Sequence, residues 1–236
     1  MSGFSDPERL SELYRERFGD HGEDVASRAR QTTWQVLCES WFPKYIAANA
    51  TVLEMGTGRG EFINNVRAGR KLAVDLNEDA AGYLDPGVEF FQASVTDMSE
   101  IPDGSIDVVF SSNLMEHLGN AETLLTTLAE ARRVLRPAGL LISLVPNAKY
   151  VGMDFYDFLD HTLPLTEVSF GEALALADFR QLEMIPRFLP YSAQNLSRAP
   201  SARAIRAYLK TRPAWRVLGK QFFSVAQPAG PTQPAG

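Results

Sequence analysis

The feature that most restricts the fold of this chain is a series of short apolar segments that alternates with helical and turn segments after residue 50. Five of them end in polar or turn residues and have the length of buried strands. They are Thr51–Met55, Lys71–Asp75, Val88–Gln92, Ile106–Ser111 and Leu140–Val145. The clearest helical segment between them is Ala121–Leu135. Because strands that alternate with helices form parallel sheets through right-handed crossovers, we expect an α/β fold with a doubly wound, mostly parallel sheet.

The remaining segments predict a cap, an insertion and a tail. Apolar residues recur at helical spacing in residues 1–50, as from Leu10 to Phe18, and indicate an N-terminal helical cap. The α/β domain is expected to span residues 51–226, with a helical insertion over 198–219 before the last strand. Residues 227–236 are rich in Pro and Gly and are expected to be disordered. The last two predicted strands are Leu182–Phe188 and Gln221–Ala226.

The composition restricts the class of partner and the compartment. The chain has 29 acidic and 23 basic residues and a pI near 5.2, which argues against a general nucleic-acid-binding protein. Its one cysteine, Cys38, excludes an intrachain disulfide and a cysteine-rich zinc site. The N-terminus lacks the apolar core of a signal peptide, and no apolar stretch is long enough to cross a bilayer. We therefore expect a cytoplasmic protein; the oligomeric state does not follow from the sequence.

The charges are unevenly distributed along the chain. All 29 acidic residues lie at or before Glu183, whereas Arg198 to Lys220 contain seven basic residues and no acidic one. A basic helical segment can cover an anionic acceptor, contact a membrane surface or form a solvated face. The complete absence of acids over this stretch favours an anionic small molecule or lipid as much as it favours the solvated face.

A glycine-rich turn follows the first strand and indicates a ligand site. Gly56, Gly58 and Gly60 allow the backbone to approach a ligand closely, and a helix is expected to begin near Glu61. A dinucleotide fingerprint needs glycine where this chain has Glu61, and no G-K-[ST] sequence of a P-loop is present.

Two acidic residues flank this turn and indicate that the site favours a positively charged ligand. Glu54 lies just before the turn, and Asp75 ends the next strand, where an acid can accept from a ribose diol. Carboxylates in this position repel a pyrophosphate but suit a ligand with an ammonium and a sulfonium group. S-adenosylmethionine meets these requirements and NAD does not.

Five motifs in order then resemble a known family. They are the E-x-G-x-G-x-G sequence from Glu54 to Gly60, Val74-Asp75, and the stretches Pro102–Val109, Ser112–Leu118 and Arg133–Gly139. Together they resemble the class I S-adenosylmethionine-dependent methyltransferases over about residues 51–145, which implies a Rossmann-like fold. Glu54 stands where that family usually has Asp, and Ser94 or Asp97 stands near the usual Gly-Asp.

The resemblance implies which residues hold the methyl donor. The glycine loop would hold the methionyl part, the acid after strand two the ribose, the residues after strand three the adenine, and the residue after strand four would line the methyl-transfer pocket. Carried over to this chain, these positions are Glu54, Gly56, Gly58, Gly60, Asp75, Leu76, Ser94, Val95 and Asn113.

Candidate catalytic residues follow from the needs of methyl transfer to a hydroxyl, which gains from a general base. His117 follows strand four, near the expected donor. If the segment around His161 is helical, Asp157 and His161 lie four residues apart on one face, as an orienting acid and a base. A metal site built from Asp154, Asp157, Asp160 and His161 would need carboxylates that converge, so we expect no metal.

The predicted function is methyl transfer from S-adenosylmethionine to a small-molecule acceptor, at a hydroxyl of a glycan precursor or secondary metabolite. Segments at Asp154–His161, Pro164–Glu167 and Arg187–Tyr191 also resemble a bacterial methyltransferase group found in glycan and natural-product gene clusters. Two alternatives stay open at this point: N- or C-methylation of a heteroaromatic natural product, and a cofactor-binding scaffold without catalysis.

Overall fold

A computed structural model of the chain describes residues 25–191 and 199–230 and contains a seven-stranded sheet. The strands are β1 (Thr51–Met55), β2 (Arg70–Asp75), β3 (Val88–Gln92), β4 (Ile106–Ser112), β5 (Leu135–Pro146), β6 (Phe179–Leu189) and β7 (Gln221–Pro228). Their order is β3-β2-β1-β4-β5-β7-β6, and only β7 runs antiparallel to its neighbours. The expected doubly wound, mostly parallel sheet is confirmed.

Helices cover both faces of the sheet. They are α1 (Val25–Ser40), α2 (Ala121–Val134), α3 (Ala148–Val151), α4 (Glu167–Leu176), α5 (Ala202–Lys210) and α6 (Arg212–Leu218). Helices α2 and α4 contribute to the core on one face, whereas α1, α5 and α6 contribute to the core on the other. Among the described residues, none of these helices is long and apolar enough to cross a membrane.

The N-terminal cap and the insertion before the last strand are both helical, as expected, and they pack together on one face. The indole rings of Trp41 and Trp215 lie 5.5 Å apart in an edge-to-face contact. Arg206 on α5 forms an ion pair of 2.7 Å with Glu39 on α1. The predicted helical run from Leu10 to Phe18 lies outside the described residues.

Helix α2 shows why the expected helical segment forms. The side chain of Asn120 accepts a hydrogen bond from the backbone amide of Thr123 and caps the first turn. Leu124, Leu128 and Ala131 recur at helical spacing and are fully buried on the sheet. Burial of each such leucine stabilises the fold by about 1.5–3 kcal/mol.

Several boundaries differ from the sequence-based expectations, including both ends of β6, which spans Phe179–Leu189. The helix expected near Glu61 is a run of turns, in which the amides of Asn64 and Val66 still donate to the carbonyl oxygens of Gly60 and Phe62. Strand β5 begins at Leu135, since Leu135 pairs with Ile106 across a bulge. Strand β7 continues through Pro228, so the first two residues of the predicted tail are part of the sheet; residues 231–236 lie outside the described ones.

The topology brings several strand ends to one edge of the sheet. The parallel strands β1, β2 and β4 end there at Met55, Asp75 and Ser112. The antiparallel strand β7 begins at the same edge, where Gln221 pairs with Pro146. Ligands of doubly wound sheets bind outside these carboxyl ends, so a ligand site is expected at this edge.

Candidate active site

The glycine loop adopts a backbone that only glycine takes readily. Gly56, Gly58 and Gly60 have φ values of +67°, +52° and +67°. A Cβ atom on Gly56 would lie 2.8 Å from Cδ1 of Leu114, so this glycine packs against the segment after β4. A Cβ atom on Gly58 would meet nothing within 4 Å, so the loop opens there to free space that a ligand can occupy.

Hydrogen bonds connect this loop to the end of β2. The amide of Gly56 donates to the carbonyl oxygen of Val74 at 2.8 Å, and the amide of Gly58 donates to Oδ2 of Asp75 at 2.8 Å. The amide of Asn77 donates to Oδ1 of Asp75 at 2.9 Å. Burial raises the pKa of Asp75, although these backbone donors act against the shift. The carboxylate is therefore fixed beside the open part of the loop.

Glu54 lies beneath the loop and is 4% exposed. Its Oε2 accepts hydrogen bonds from Oγ1 of Thr57 at 2.8 Å and from the amide of Ile63 at 3.2 Å. Burial raises the pKa of Glu54 to about 8, against the effect of these hydrogen bonds. A cation bound nearby would favour the ionised form of this carboxyl group.

The other predicted donor-site residues lie at the same edge, but not all present a side chain. Leu76 is 47% exposed and offers apolar surface next to Asp75. The amide of Ala93 donates to the carbonyl oxygen of Asp75 at 3.1 Å, which brings the segment at Ser94 alongside. The side chain of Val95, in contrast, is buried in the core, so only its backbone can face a ligand.

Asn113 ends this set at the tip of β4. It is exposed and has φ +49°, a conformation that costs free energy in a residue other than glycine. Its amide donates to the carbonyl oxygen of Leu144 at 3.0 Å, which holds the strained turn in place. The open glycine loop, the fixed carboxylate and the exposed apolar surface together fit an adenosyl ligand with a positively charged end.

A second group of polar side chains lies after β4 and is mostly buried. It consists of Glu116, His117, Asp160 and His161, called here the histidine cluster. The amides of Thr162 and Leu163 each donate to the carbonyl oxygen of Glu116 at 3.0 Å and bring the two segments together. The two imidazole rings lie 4.8 Å apart, centroid to centroid.

Hydrogen bonds determine which nitrogen of each histidine carries the proton. Nδ1 of His161 lies 2.9 Å from the carbonyl oxygen of Phe155, and Nδ1 of His117 lies 3.1 Å from that of Asp160. A carbonyl oxygen can only accept, so Nδ1 donates in both cases. In the neutral form of each ring, the lone pair is therefore on Nε2.

Charge and burial oppose each other within the histidine cluster. Burial raises the pKa of Glu116 to about 7, while the neighbouring His117 acts to lower it. Burial lowers the pKa of His117, but the hydrogen bond to Asp160 and the charge of Glu116 outweigh burial and raise it above the ordinary value. Oε2 of Glu116 is buried and has no hydrogen-bond partner among the described residues.

The expected pairing of Asp157 with His161 is wrong, because the segment does not form an α-helix. Its 3₁₀ turns end at Asp157, and residues 158–161 are irregular, so the two side chains do not share a helical face. The carboxylate next to a histidine is that of Asp160, whose Oδ2 lies 3.3 Å from Nδ1 of His117. Asp154 points elsewhere and forms an ion pair with Lys220 at 3.1 Å.

The sequence analysis does not single out Glu116, and it considers Asp160 only as a carboxylate of a metal site that it does not expect. Both immediately precede a histidine, in Glu116-His117 and Asp160-His161. The repeated acid–histidine pair was a usable signal, because each pair puts one carboxylate and one imidazole at the same turn.

The chain leaves β6 and enters β7 at the edge that carries the histidine cluster. The amide of Lys220 donates to the carbonyl oxygen of Leu189 at 2.8 Å, and the amide of Asn147 donates to that of Lys220 at 2.9 Å. Tyr191, just after β6, places its ring 6.4 Å from that of His161. Burial and the negative charge of Glu116 raise the pKa of Tyr191.

Comparisons with known proteins agree with this geometry. A family model described as a methyltransferase domain matches residues 53–143. A probable S-adenosylmethionine-dependent methyltransferase of Mycobacterium tuberculosis is 34% identical over 118 residues, which cover 48% of this chain and 41% of that protein. The match thus spans about two-fifths of the length of this curated relative.

Two solved structures share the fold. A SAM-dependent methyltransferase from Archaeoglobus fulgidus is 20% identical with a TM-score of 0.64, over 92% of this chain and 99% of that one. Geranyl diphosphate C-methyltransferase from Streptomyces coelicolor, solved with Mg²⁺, geranyl diphosphate and S-adenosyl-L-homocysteine, is 14% identical with a TM-score of 0.56, over 78% and 72%. This chain therefore has the Rossmann-like fold found in these methyltransferases, and residues 53–143 match a methyltransferase domain.

Proposed function

We propose that this chain transfers a methyl group from S-adenosylmethionine to a hydroxyl group of a small-molecule acceptor, in glycan or secondary metabolism. The observation that carries the proposal is the glycine loop at the end of β1. Its Gly58 amide is bonded to the Asp75 carboxylate at 2.8 Å beside open space. When bound there, S-adenosylmethionine supplies a methyl group activated by its sulfonium.

Each donor-site residue has a role that its position supports. Asp75 has fixed carboxylate oxygens that can accept from a ribose diol, and Leu76 offers apolar surface next to it. Glu54 holds the loop from below and provides negative charge near the ammonium end. Ser94 and the backbone of Val95 face the adenine, and Asn113 lines the transfer pocket.

The acceptor hydroxyl is activated by the histidine cluster. Methyl transfer is an in-line displacement, so the first requirement is alignment of the nucleophile with the methyl group. The segment after β4 meets this requirement because Leu114 packs directly on Gly56 and so connects the cluster to the donor loop. His161 and His117 present nitrogen lone pairs at Nε2, and Asp160 orients His117.

The acceptor is anionic in this proposal. The chain leaves β6 and enters β7 at the edge of the histidine cluster, and among the described residues Arg203, Lys210 and Arg216 are exposed and form no ion pair. The Streptomyces coelicolor neighbour was solved with geranyl diphosphate, a small anionic molecule. A cationic rim would attract an acceptor of this kind and exclude neutral competitors.

Calorimetric titration of S-adenosylmethionine and S-adenosylhomocysteine tests the donor site. We expect micromolar binding to the full chain and a loss of at least 100-fold in Asp75→Ala. Glu172→Ala, which removes an exposed carboxylate on α4, should bind as the unchanged chain does. Failure of the unchanged chain to bind either ligand would overturn the proposal. Binding would justify a screen with anionic glycosides and phenols, read out by transfer of a labelled methyl group.

A further inference from the structure

We infer that the histidine cluster binds one divalent transition-metal ion through Glu116, His117 and His161. This goes beyond the metal-free site expected from the sequence, and it uses a different set of side chains from the carboxylates considered there. One ligand atom from each of the three residues lies within 4.8 Å of the other two. Ligands that are about 2.0–2.2 Å from a common ion lie roughly 3–4 Å apart, so small side-chain movements close the site.

The hydrogen bonds of the two histidines are those of metal ligands. A metal-binding imidazole typically donates its other ring N–H to a carbonyl or carboxylate oxygen, which fixes the tautomer and the ring orientation. Nδ1 of His161 donates to the carbonyl oxygen of Phe155, and Nδ1 of His117 donates to that of Asp160. The Nε2 lone pair of each ring is therefore the one that coordinates the ion.

Glu116 gives an independent indication. Its side chain is 1% exposed, and its Oε2 has no hydrogen-bond partner among the described residues. A buried carboxylate oxygen without a partner costs free energy, so such groups normally face a donor or a cation. Oε1 of the same carboxylate lies 3.9 Å from Nε2 of His117, which places this group inside the cluster. A bound ion would satisfy the oxygen that the protein leaves unpaired.

The donor set selects the class of ion. Two imidazole nitrogens and one carboxylate suit Zn²⁺ and other first-row transition ions, whereas Mg²⁺ and Ca²⁺ prefer oxygen ligands throughout. Three protein ligands leave a coordination position open. His117 is the least buried of the three, which puts that position on its side. An acceptor oxygen can occupy it, and with the ion bound the two imidazoles would activate the hydroxyl by holding the ion rather than as free bases. This role rests on the proposed methyl transfer, whereas ion binding does not.

Titration of the chelator-stripped full chain with Co²⁺ tests the site, because bound Co²⁺ has visible absorption bands that report its coordination. We expect one Co²⁺ per chain and displacement of that ion by Zn²⁺. Glu116→Gln and His161→Gln should each weaken Co²⁺ binding by at least tenfold. The matched control is Asp154→Asn, which changes an exposed carboxylate of the same segment that pairs with Lys220, and it should not alter the affinity.

Titration of S-adenosylhomocysteine into every variant separates the possible failures. Retained binding of S-adenosylhomocysteine shows that a variant is folded. A loss of Co²⁺ binding in that variant is then caused by the loss of a ligand side chain and not by unfolding. If the unchanged chain binds the donor but no Co²⁺, the metal inference is overturned and the proposed methyl transfer stands. If Glu116→Gln and His161→Gln both bind Co²⁺ like the unchanged chain, the ion has another location and the inference is equally overturned.

Discussion

The donor loop and the histidine cluster are built in opposite ways. The donor loop uses consecutive residues at the ends of β1 and β2, and backbone amides fix its carboxylate. The cluster joins two segments separated by 43 residues, as the contact between His117 and Asp160 shows. The first site therefore follows from local sequence once the strands form, whereas the second exists only after the chain that follows β5 returns beside the segment after β4.

The two sites also differ in what they expose. Gly58 and Leu76 are exposed and leave an open surface for a large ligand. Glu116 and His161 are buried, with 1% and 8% of their surface exposed, and can contact only a small group or ion. The difference indicates a division of work, in which one site supplies binding area and the other supplies chemistry at a single atom. Variants that affect one site without the other test this division.

The largest effect on turnover is expected for His161→Ala. Loss of the group that activates the hydroxyl should lower kcat by about 100-fold, in the range typical of general acid–base catalysis. The Kd for S-adenosylhomocysteine should change by less than twofold, because the donor loop does not use this side chain. Steady-state kinetics together with calorimetry check both numbers. Turnover equal to that of the unchanged chain would remove His161 from the mechanism.

A comparison of two aspartates in the same segment sharpens this result. Asp160→Asn should lower kcat more than Asp157→Asn, because Asp160 contacts His117 and Asp157 is exposed. Equal effects would return Asp157 to the role that the sequence predicted for it.

Glu54→Gln is expected to weaken donor binding by about 30-fold, since a hydrogen bond or contact to a charged group contributes about 1.5–3 kcal/mol. It should also change the pH dependence of stability. The pKa of Glu54 is raised from 4.5 to about 8 in the folded chain. Between these values the folded chain keeps a proton that the unfolded chain loses. The resulting stabilisation is complete below pH 4.5 and is lost as the pH rises to about 8.

Chemical denaturation at pH 5, 6.5 and 8 measures this dependence. The unfolding free energy of the unchanged chain should fall relative to that of Glu54→Gln, by up to about 1.4 kcal/mol per pH unit. Donor binding near pH 7 should release a proton, which calorimetry in buffers of different ionisation enthalpy detects. Parallel pH profiles for the two chains would show that Glu54 is ionised throughout this range.

Substitution of Gly56 and of Gly58 should affect stability and donor affinity in opposite order. Gly56→Ala should lower the unfolding free energy by about 2–3 kcal/mol, because the left-handed backbone costs about 1–2 kcal/mol and Cβ would lie 2.8 Å from Leu114. Gly58→Ala should lower the unfolding free energy only by the cost of the left-handed backbone, since its Cβ meets nothing within 4 Å. That Cβ enters the space proposed for the donor, so Gly58→Ala should reduce donor affinity more than Gly56→Ala does.

Gly104→Ala is the control for this pair. Gly104 has φ +58° and open space around its Cβ, as Gly58 has, but it precedes β4 at the other edge of the sheet. Its substitution should lower stability by about as much as Gly58→Ala and leave donor binding unchanged. A loss of donor affinity in Gly104→Ala would mean that strain, not space, explains the effect of Gly58→Ala.

The fold was predictable because its strands depend on short stretches of sequence. The strands were recognised from local apolar runs, and their carboxyl ends coincide at Met55, Asp75 and Gln92 with the predicted ones. The errors occurred where the chain is constrained at longer range. The segment near Glu61 forms turns rather than the expected helix, and the side chain of Val95 is part of the core.

The histidine cluster was only half predictable for the same reason. The chemistry of the imidazole group points to His117 and His161, but the helical periodicity that pairs Asp157 with His161 does not hold, and Asp160 contacts His117 instead. The proximity of Asp160 to His117 depends on Thr162, whose amide donates to the carbonyl oxygen of Glu116. No local pattern encodes that bond. Residues that tertiary folding brings together from distant segments can be proposed from their chemistry, but their partners follow only from the structure.

The smallest expected effect comes from the basic insertion, whose side chains are part of neither site. Simultaneous change of Arg203, Lys210 and Arg216 to Gln should raise the KM for an anionic acceptor about threefold at low salt, because exposed charges steer a ligand but contribute little contact energy. The difference should disappear near 0.5 M salt, where screening is strong. Arg206 is kept, since its pair with Glu39 holds the insertion on α1. A KM that does not respond to the triple change at low salt would leave these side chains as a solvated face. It would place all recognition of the acceptor at the histidine cluster.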